Sequence, residues 1–234
     1  MTNKIYHKKD VLPNPAFWKK DGVDHLNISP KGLTDLGRTL HPNSMLGFTH
    51  DVFGDFGSVS AFWDFVETGS RHDNVRYMNT AGRMSFMKNA PKYKVDGLLY
   101  FVLDAMWQRV NTYKLLSKSL LESELPFDSY VYLGEFNYPT RRNNSTWMIK
   151  GFEEMRSSLK NNTTPDFHGL MFGKTREELF EVYLETYVKP LEKESGSDIL
   201  FGTASNKNLL LEELRSSSEV PKAFRKSQVE TQVI

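Results

Sequence analysis

Residues 32–66, GLTDLGRTLHPNSMLGFTHDVFGDFGSVSAFWDFV, decide how this chain is read. A polar Gly/Arg turn leads through a Pro/Asn loop into a segment broken by Gly47, Gly54 and Gly57. Phe48, Phe53 and Phe56 are spaced like anchors of a small ribbon rather than as one face of a helix. Ser58 then stands where a helix N-cap belongs, its hydroxyl free to accept from the amides of the next turn. Phe62, Phe65 and Val66 follow at helical spacing and supply an apolar stripe. The stretch therefore predicts a hairpin packed on the helix that follows it.

Working outward, residues 1–27 form a polar lead-in whose Pro13 and Pro15 resist helix. A helical stretch is expected around Asn74 to Lys88. The strongest helix runs from Asp96 to Ser123. Leu99, Val102, Leu103, Met106, Val110, Tyr113, Leu116 and Leu120 recur along it at three- and four-residue steps, and Pro126 lies just beyond. Trp107 and Arg109 fall off that stripe. Ser129 to Phe136 reads as a strand, and Thr146 to Leu159 as a helix opened by a Ser145/Thr146 cap. Thr175 with Glu178 forms a capping-box pattern at the head of an amphipathic helix reaching Leu191. A short helix, Asn206 to Arg215, precedes a loosely ordered tail. The expected organisation is a lead-in (1–27), a main domain (28–160), flanking helices (161–215) and a tail (216–234). The fold class is α+β, predominantly helical. Its core should include Phe56, Phe62, Phe65, Leu99, Leu103, Met106 and Leu120, with no parallel sheet as central layer.

The composition excludes several classes. Hydrophobic residues make up 39% and aromatic residues 13%, values of a folded globular chain rather than a disordered one. Thirty basic residues against 29 acidic ones leave a net charge of +1. A broad phosphate-binding surface would show as a clear basic excess, so only a recessed nucleic-acid site remains open. The absence of cysteine excludes disulfides, a thiol nucleophile and a Cys-ligated zinc site. No apolar run approaches the roughly 18 residues of a membrane span, and the first residues lack a signal-peptide core. A cytoplasmic protein without a membrane partner is expected. His41, His50 and His72 show no metal spacing, and residues 54–57 lack the strand–turn–helix context of a phosphate loop. Neither a metal nor a cofactor is expected.

The opening stretch resembles the NADAR (NAD- and ADP-ribose-related) domains, and more closely their phage-type members. Thr34, Leu36, Gly37, Arg38 and Leu40 match the first block of that family's pattern. Phe48 matches its Pro-Phe position, with Gly47 for the proline, and Gly54, Phe56, Ser58 and Trp63 match its last block. A second match runs from Leu125 to Gly134, followed by Trp147 and the run Phe152 to Arg156. Together the blocks span roughly residues 28–157. The resemblance implies a NADAR-like helical fold and removal of ADP-ribose from a modified guanine base in DNA. Such activity counters a bacterial toxin that ADP-ribosylates DNA, which would place the protein in the host cytoplasm. It also nominates ligand-binding residues: Thr34, Gly37, Arg38, Asn43, Phe48, Trp63, Arg83 and Trp147.

Each nomination has a chemical rationale and a plainer alternative. Arg38 offers phosphate a planar, bidentate fork, but it also suits a pair with Asp35. Trp63 and Trp147 suit stacking on a base, worth roughly 1–3 kcal/mol per base, or burial in a core. Cleaving an N-glycosidic bond passes through an oxocarbenium-like state that a nearby carboxylate stabilises. Family members carry a Glu at the helix start, and here that position is Ser60. Asp128 is the preferred surviving acid. Asp64 lies one turn after Ser60 on the same helical face, and Glu154 is third. The alternative reading is a non-catalytic protein that binds ADP-ribose, the modified DNA or the toxin itself.

Overall fold

A helix that is apolar almost all round stands at the centre. In this computed structural model, which describes residues 10–11, 16–131, 140–141, 146–171 and 173–191, that helix is α4 (Leu98–Thr112). Tyr100, Phe101, Val102, Leu103, Ala105, Met106 and Val110 are all buried along it, the signature of a helix enclosed by other elements. Leu99 is only half-buried, whereas the other six residues expected in the core are buried. The described residues form two units, divided between Lys174 and Thr175.

Helix α2 (Val59–Glu67) packs on α4, as does β3 (Phe48–His50), which pairs antiparallel with β4 (Gly54–Phe56). The hairpin and the helix are those expected from residues 32–66. Ser58 caps α2, its hydroxyl accepting from the Ala61 amide at 3.1 Å. Gly54 turns the hairpin at φ +77°, a conformation that glycine adopts without strain. Phe56 meets Phe62 and Phe65 edge to face at 5.1 and 5.4 Å. The Arg76 guanidinium lies over the Phe56 and Phe65 rings, 4.5 and 4.1 Å from their centroids, a cation–π clamp on the apolar layer.

The long helix expected from Asp96 to Ser123 is two helices, α4 and α5 (Lys114–Glu122). Tyr113 breaks them with extended backbone (φ −114°, ψ 102°), and its hydroxyl donates to the Gly47 carbonyl at 2.5 Å. The apolar spacing runs across this break unmarked, because Leu116 and Leu120 are buried from a new axis. The stretch around Asn74 to Lys88 likewise divides into a 3-10 turn (Asp73–Tyr77) and α3 (Thr80–Phe86), the latter capped by Asn79. Arg109, expected off the apolar stripe, is fully buried.

The lead-in differs from expectation as well. Residues Phe17–Lys20 form a 3-10 turn, and β2 (Leu26–Asn27) pairs in parallel with β5 (Phe127–Asp128). The Asp21 carboxylate fixes this entry by accepting from the Asn27 amide (2.9 Å) and the Leu33 amide (2.6 Å). A separate antiparallel sheet takes the order β1 (Asp10–Val11), β7 (Thr140–Arg141), β6 (Tyr130–Val131). The two-residue β2·β5 pair is the one parallel pairing among the named strands, so helices supply the central layer. The remainder of the strand expected to Phe136, and the Ser145 cap, lie outside the described residues. Helix α6 (Thr146–Asn161) packs on α4 and α5, and α1 (Asp35–Leu40) on α5.

In the second unit, α7 (Arg176–Tyr183) begins with the expected capping box: Thr175 accepts from the Glu178 amide, and Glu178 from the Thr175 amide. A π turn, Leu184–Val188, continues it. The helix expected at 206–215 and the tail lie outside the described residues. Among the described residues no helix is long and apolar enough to cross a membrane.

Candidate functional site

Helix α2, helix α3 and the loop after α1 meet at one guanidinium. Arg83 donates through Nη1 to the Asp64 carboxylate and to the Ser60 carbonyl (3.2 Å), and through Nη2 to Asn43 Oδ1 (2.9 Å). The pair is largely enclosed, with 8% of the Arg83 side chain and 13% of the Asp64 side chain exposed. Burial raises the Asp64 pKa above its ordinary 3.8, and the Arg83 cation opposes that rise without cancelling it. Three residues nominated from separate blocks of sequence, Asn43, Asp64 and Arg83, thus form one hydrogen-bonded group.

The loop bearing Asn43 is held from several sides. The Ser60 amide donates to the Pro42 carbonyl at 2.9 Å, and the Asn43 amide donates to His41 Nδ1 at 3.1 Å. From below, Arg109 donates to the carbonyls of Leu40 (2.8 Å) and His41 (3.3 Å). Its charge faces the carbonyl end of α1, where cations are favoured. Desolvation still lowers its pKa to about 10. Trp63, next to Asp64 on α2, meets Trp147 of α6 edge to face at 5.7 Å and 67°. Both indoles are half-buried and retain exposed surface. They contact each other rather than standing as two independent platforms.

The other nominated residues stand elsewhere. Asp128 is buried on β5, and its Oδ1 accepts from the Ser129 amide at 2.7 Å. Glu154 accepts from Ser158 Oγ (3.3 Å) and the Asp166 amide (3.1 Å), fastening the loop after α6. Arg38 is bonded to Gly32 O (2.6 Å), Leu33 O (2.9 Å) and the Asp35 carboxylate, the plainer of its two readings. Thr34 caps α1 by accepting from the Gly37 amide. Gly37 lies so near the Asn27 carbonyl that a Cβ would come within 2.3 Å of its oxygen. Phe48 is buried in the hairpin, its ring against Phe56 and Phe62, so it offers no face to a ligand. For Gly37 and Phe48 the packing of the fold accounts for the residue without a ligand. Ser60 is buried, with 8% of its surface exposed, at the edge of the Arg83 group.

Sequence reasoning passed over one polar cluster. His50, Asp51 and Asp104 bring ligand-type atoms within 4.8 Å of one another, the one such group found among the described residues. The residues present do not fit an ion. Gln108 Nε2 donates to both carboxylates at 2.9 Å, occupying the space between them. The Val52 amide donates to His50 Nδ1 at 3.1 Å, which assigns the ring proton to Nε2, 3.2 Å from Asp104. Through Gln108 the cluster ties the hairpin to α4. Only the Asp104/Gln108 spacing, one helical turn, was visible in the sequence.

No family model, curated protein or solved structure matches the chain.

Proposed function

We propose that the chain is a NADAR-like protein that binds ADP-ribose and removes it from a modified guanine base in DNA. In that role it would act as a phage counter to a DNA-modifying toxin. The observation that carries the reading is the convergence of Asn43, Asp64 and Arg83, with Trp63, the residue before Asp64, in contact with Trp147. In this reading water attacks the anomeric carbon of the ADP-ribosyl group. As the carbon–oxygen bond forms, the carbon–nitrogen bond to guanine breaks, and its electron pair leaves on the base nitrogen, which takes up a proton. Asp64, as the carboxylate, accepts the proton of the attacking water and stabilises the oxocarbenium-like state. Asp64 takes precedence over Asp128, which is buried on β5. Arg83 and Asn43 orient Asp64, and the exposed indole surface of Trp63 and Trp147 receives the base.

Incubating ADP-ribosylated DNA with the protein tests this directly. Free ADP-ribose should appear over many turnovers, and Asp64→Asn should slow release by at least about 10²-fold, the lower range for general-base catalysis. Asp128→Asn should slow it far less. Full release by Asp64→Asn would refute the assignment.

One feature favours the binding alternative. Asp64 is already paired with Arg83, and the family glutamate is replaced by Ser60. A binder would protect the modified DNA stoichiometrically and release nothing.

A further inference from the structure

We infer that the cleft between His72 and the outer face of α3 is a nucleobase-binding site. Its volume is about 550 Å³, within the range of small-molecule sites. His72, Ser85, Phe86, Asn89, Ala90 and Pro91 form its walls. Ser85, Phe86 and Asn89 fall on one side of α3 and its following turn because three- and four-residue steps return to the same face. That turn is fixed by the Asn89 amide, which donates to the Phe86 carbonyl at 3.2 Å. Arg83, which is bonded to Asp64 and Asn43, is not among the residues that line this cleft.

The chemistry of the walls selects the ligand. No Asp, Glu, Lys or Arg lines the cleft, so it has no fixed charge with which to recognise a phosphate or a carboxylate. The half-buried rings of Phe86 and His72 stand edge to face, centroids 4.9 Å apart at 79°, and give a flat ligand an apolar wall with a perpendicular one beside it. Asn89 carries a carboxamide with a donor pair and an acceptor in one plane, and the Ser85 hydroxyl serves as either. A flat ring whose edge mixes donors and acceptors matches this set, and an Asn amide is a bidentate partner for the adenine edge.

The base can come from a free nucleoside or from a single strand, and titrations into the ¹⁵N-labelled full chain distinguish them. Adenosine should give saturable shifts at the amides of Ser85, Phe86 and Asn89. An adenine oligodeoxynucleotide that binds more than about tenfold tighter identifies a strand as the source, and equal affinity identifies the nucleoside. Asn89→Ala, at an exposed position, should weaken either ligand by about tenfold, the lower range for a lost bidentate contact, with an otherwise unchanged spectrum. Asp64→Asn should leave this binding unaltered, so the cleft stands or falls separately from the proposed hydrolysis. No saturable shift at millimolar adenosine, or affinity indifferent to both Asn89→Ala and Phe86→Leu, would overturn the assignment.

Discussion

Replacing Arg83 by Met keeps an unbranched stem in place and removes the guanidinium on which Asp64, Asn43 and the Ser60 carbonyl converge. Hydrogen bonds to charged groups contribute about 1.5–3 kcal/mol each, and breaking a buried pair by removing one partner costs about 3–5 kcal/mol. Asp64 keeps 13% of its side-chain surface exposed and can protonate, so the lower part of that range applies. Arg83→Met should therefore lose about 3 kcal/mol at neutral pH. Asp64→Asn leaves Arg83 bonded to Asn43 and Ser60, and should lose about 1–2 kcal/mol. If the pair acts as a unit, the double variant should lose less than the sum of the two by about 1 kcal/mol or more. Urea denaturation followed by tryptophan fluorescence measures all three. The Arg83→Met deficit should also shrink on acidification, since a carboxyl already raised by burial loses its lowering partner and protonates more readily. Additivity within about 0.5 kcal/mol, or a deficit independent of pH, would refute the account of the pair.

Three further outcomes follow from other parts of the molecule. Gly37→Ala should destabilise by about 1–3 kcal/mol despite alanine's better helix propensity, because the new methyl meets the immobile Asn27 carbonyl; a stability equal to the parent's would show that β2 can yield. Asp64 has a raised pKa, so its contribution to stability is fully present below 3.8 and lost as pH rises through the folded value. Asp64→Asn should flatten the stability profile over that acidic window, as read from melting temperature against pH. Thr175→Ala removes half of the capping box and should weaken α7 by about 1 kcal/mol, which hydrogen exchange at the first turn of that helix measures.

What the sequence made legible was local. Ser58, the turn at Gly54 and the aromatic positions of the hairpin each act within a few residues, so their pattern and their structure coincide. The break at Tyr113 escaped notice because it depends on the Gly47 carbonyl, distant in sequence, while apolar spacing continues through it. Periodicity likewise says nothing of Arg109, whose burial is made tolerable by two carbonyls at the end of α1. The β2·β5 pair is two residues long in each strand, too short for alternation to show. For the candidate site, motif positions nominated Asn43 and Arg83, and helical spacing from Ser60 nominated Asp64, but their meeting depends on how α2, α3 and the 41–47 loop pack. The motif positions also carry no information about burial, so Asp128 was nominated without regard to its place on β5.

The proposed activity and the structure meet in the competition for one cation. Arg83 is the basic group nearest Asp64, and its outer nitrogens are already engaged by protein acceptors. A phosphate arriving at this site must either leave that arrangement intact and use other donors, or draw Arg83 away. In the second case Asp64 loses the interaction that lowers its pKa, while the burial that raises it persists or deepens under the ligand. The carboxyl would then protonate more readily and be a poorer acceptor for the proton of water. A hydrolase built on Asp64 therefore requires that Arg83 stay in place when ligand binds, with the phosphates held by other groups. A binder carries no such requirement. The Asp64–Arg83 pair is thus the point at which catalysis and simple binding impose opposite demands on the same side chains.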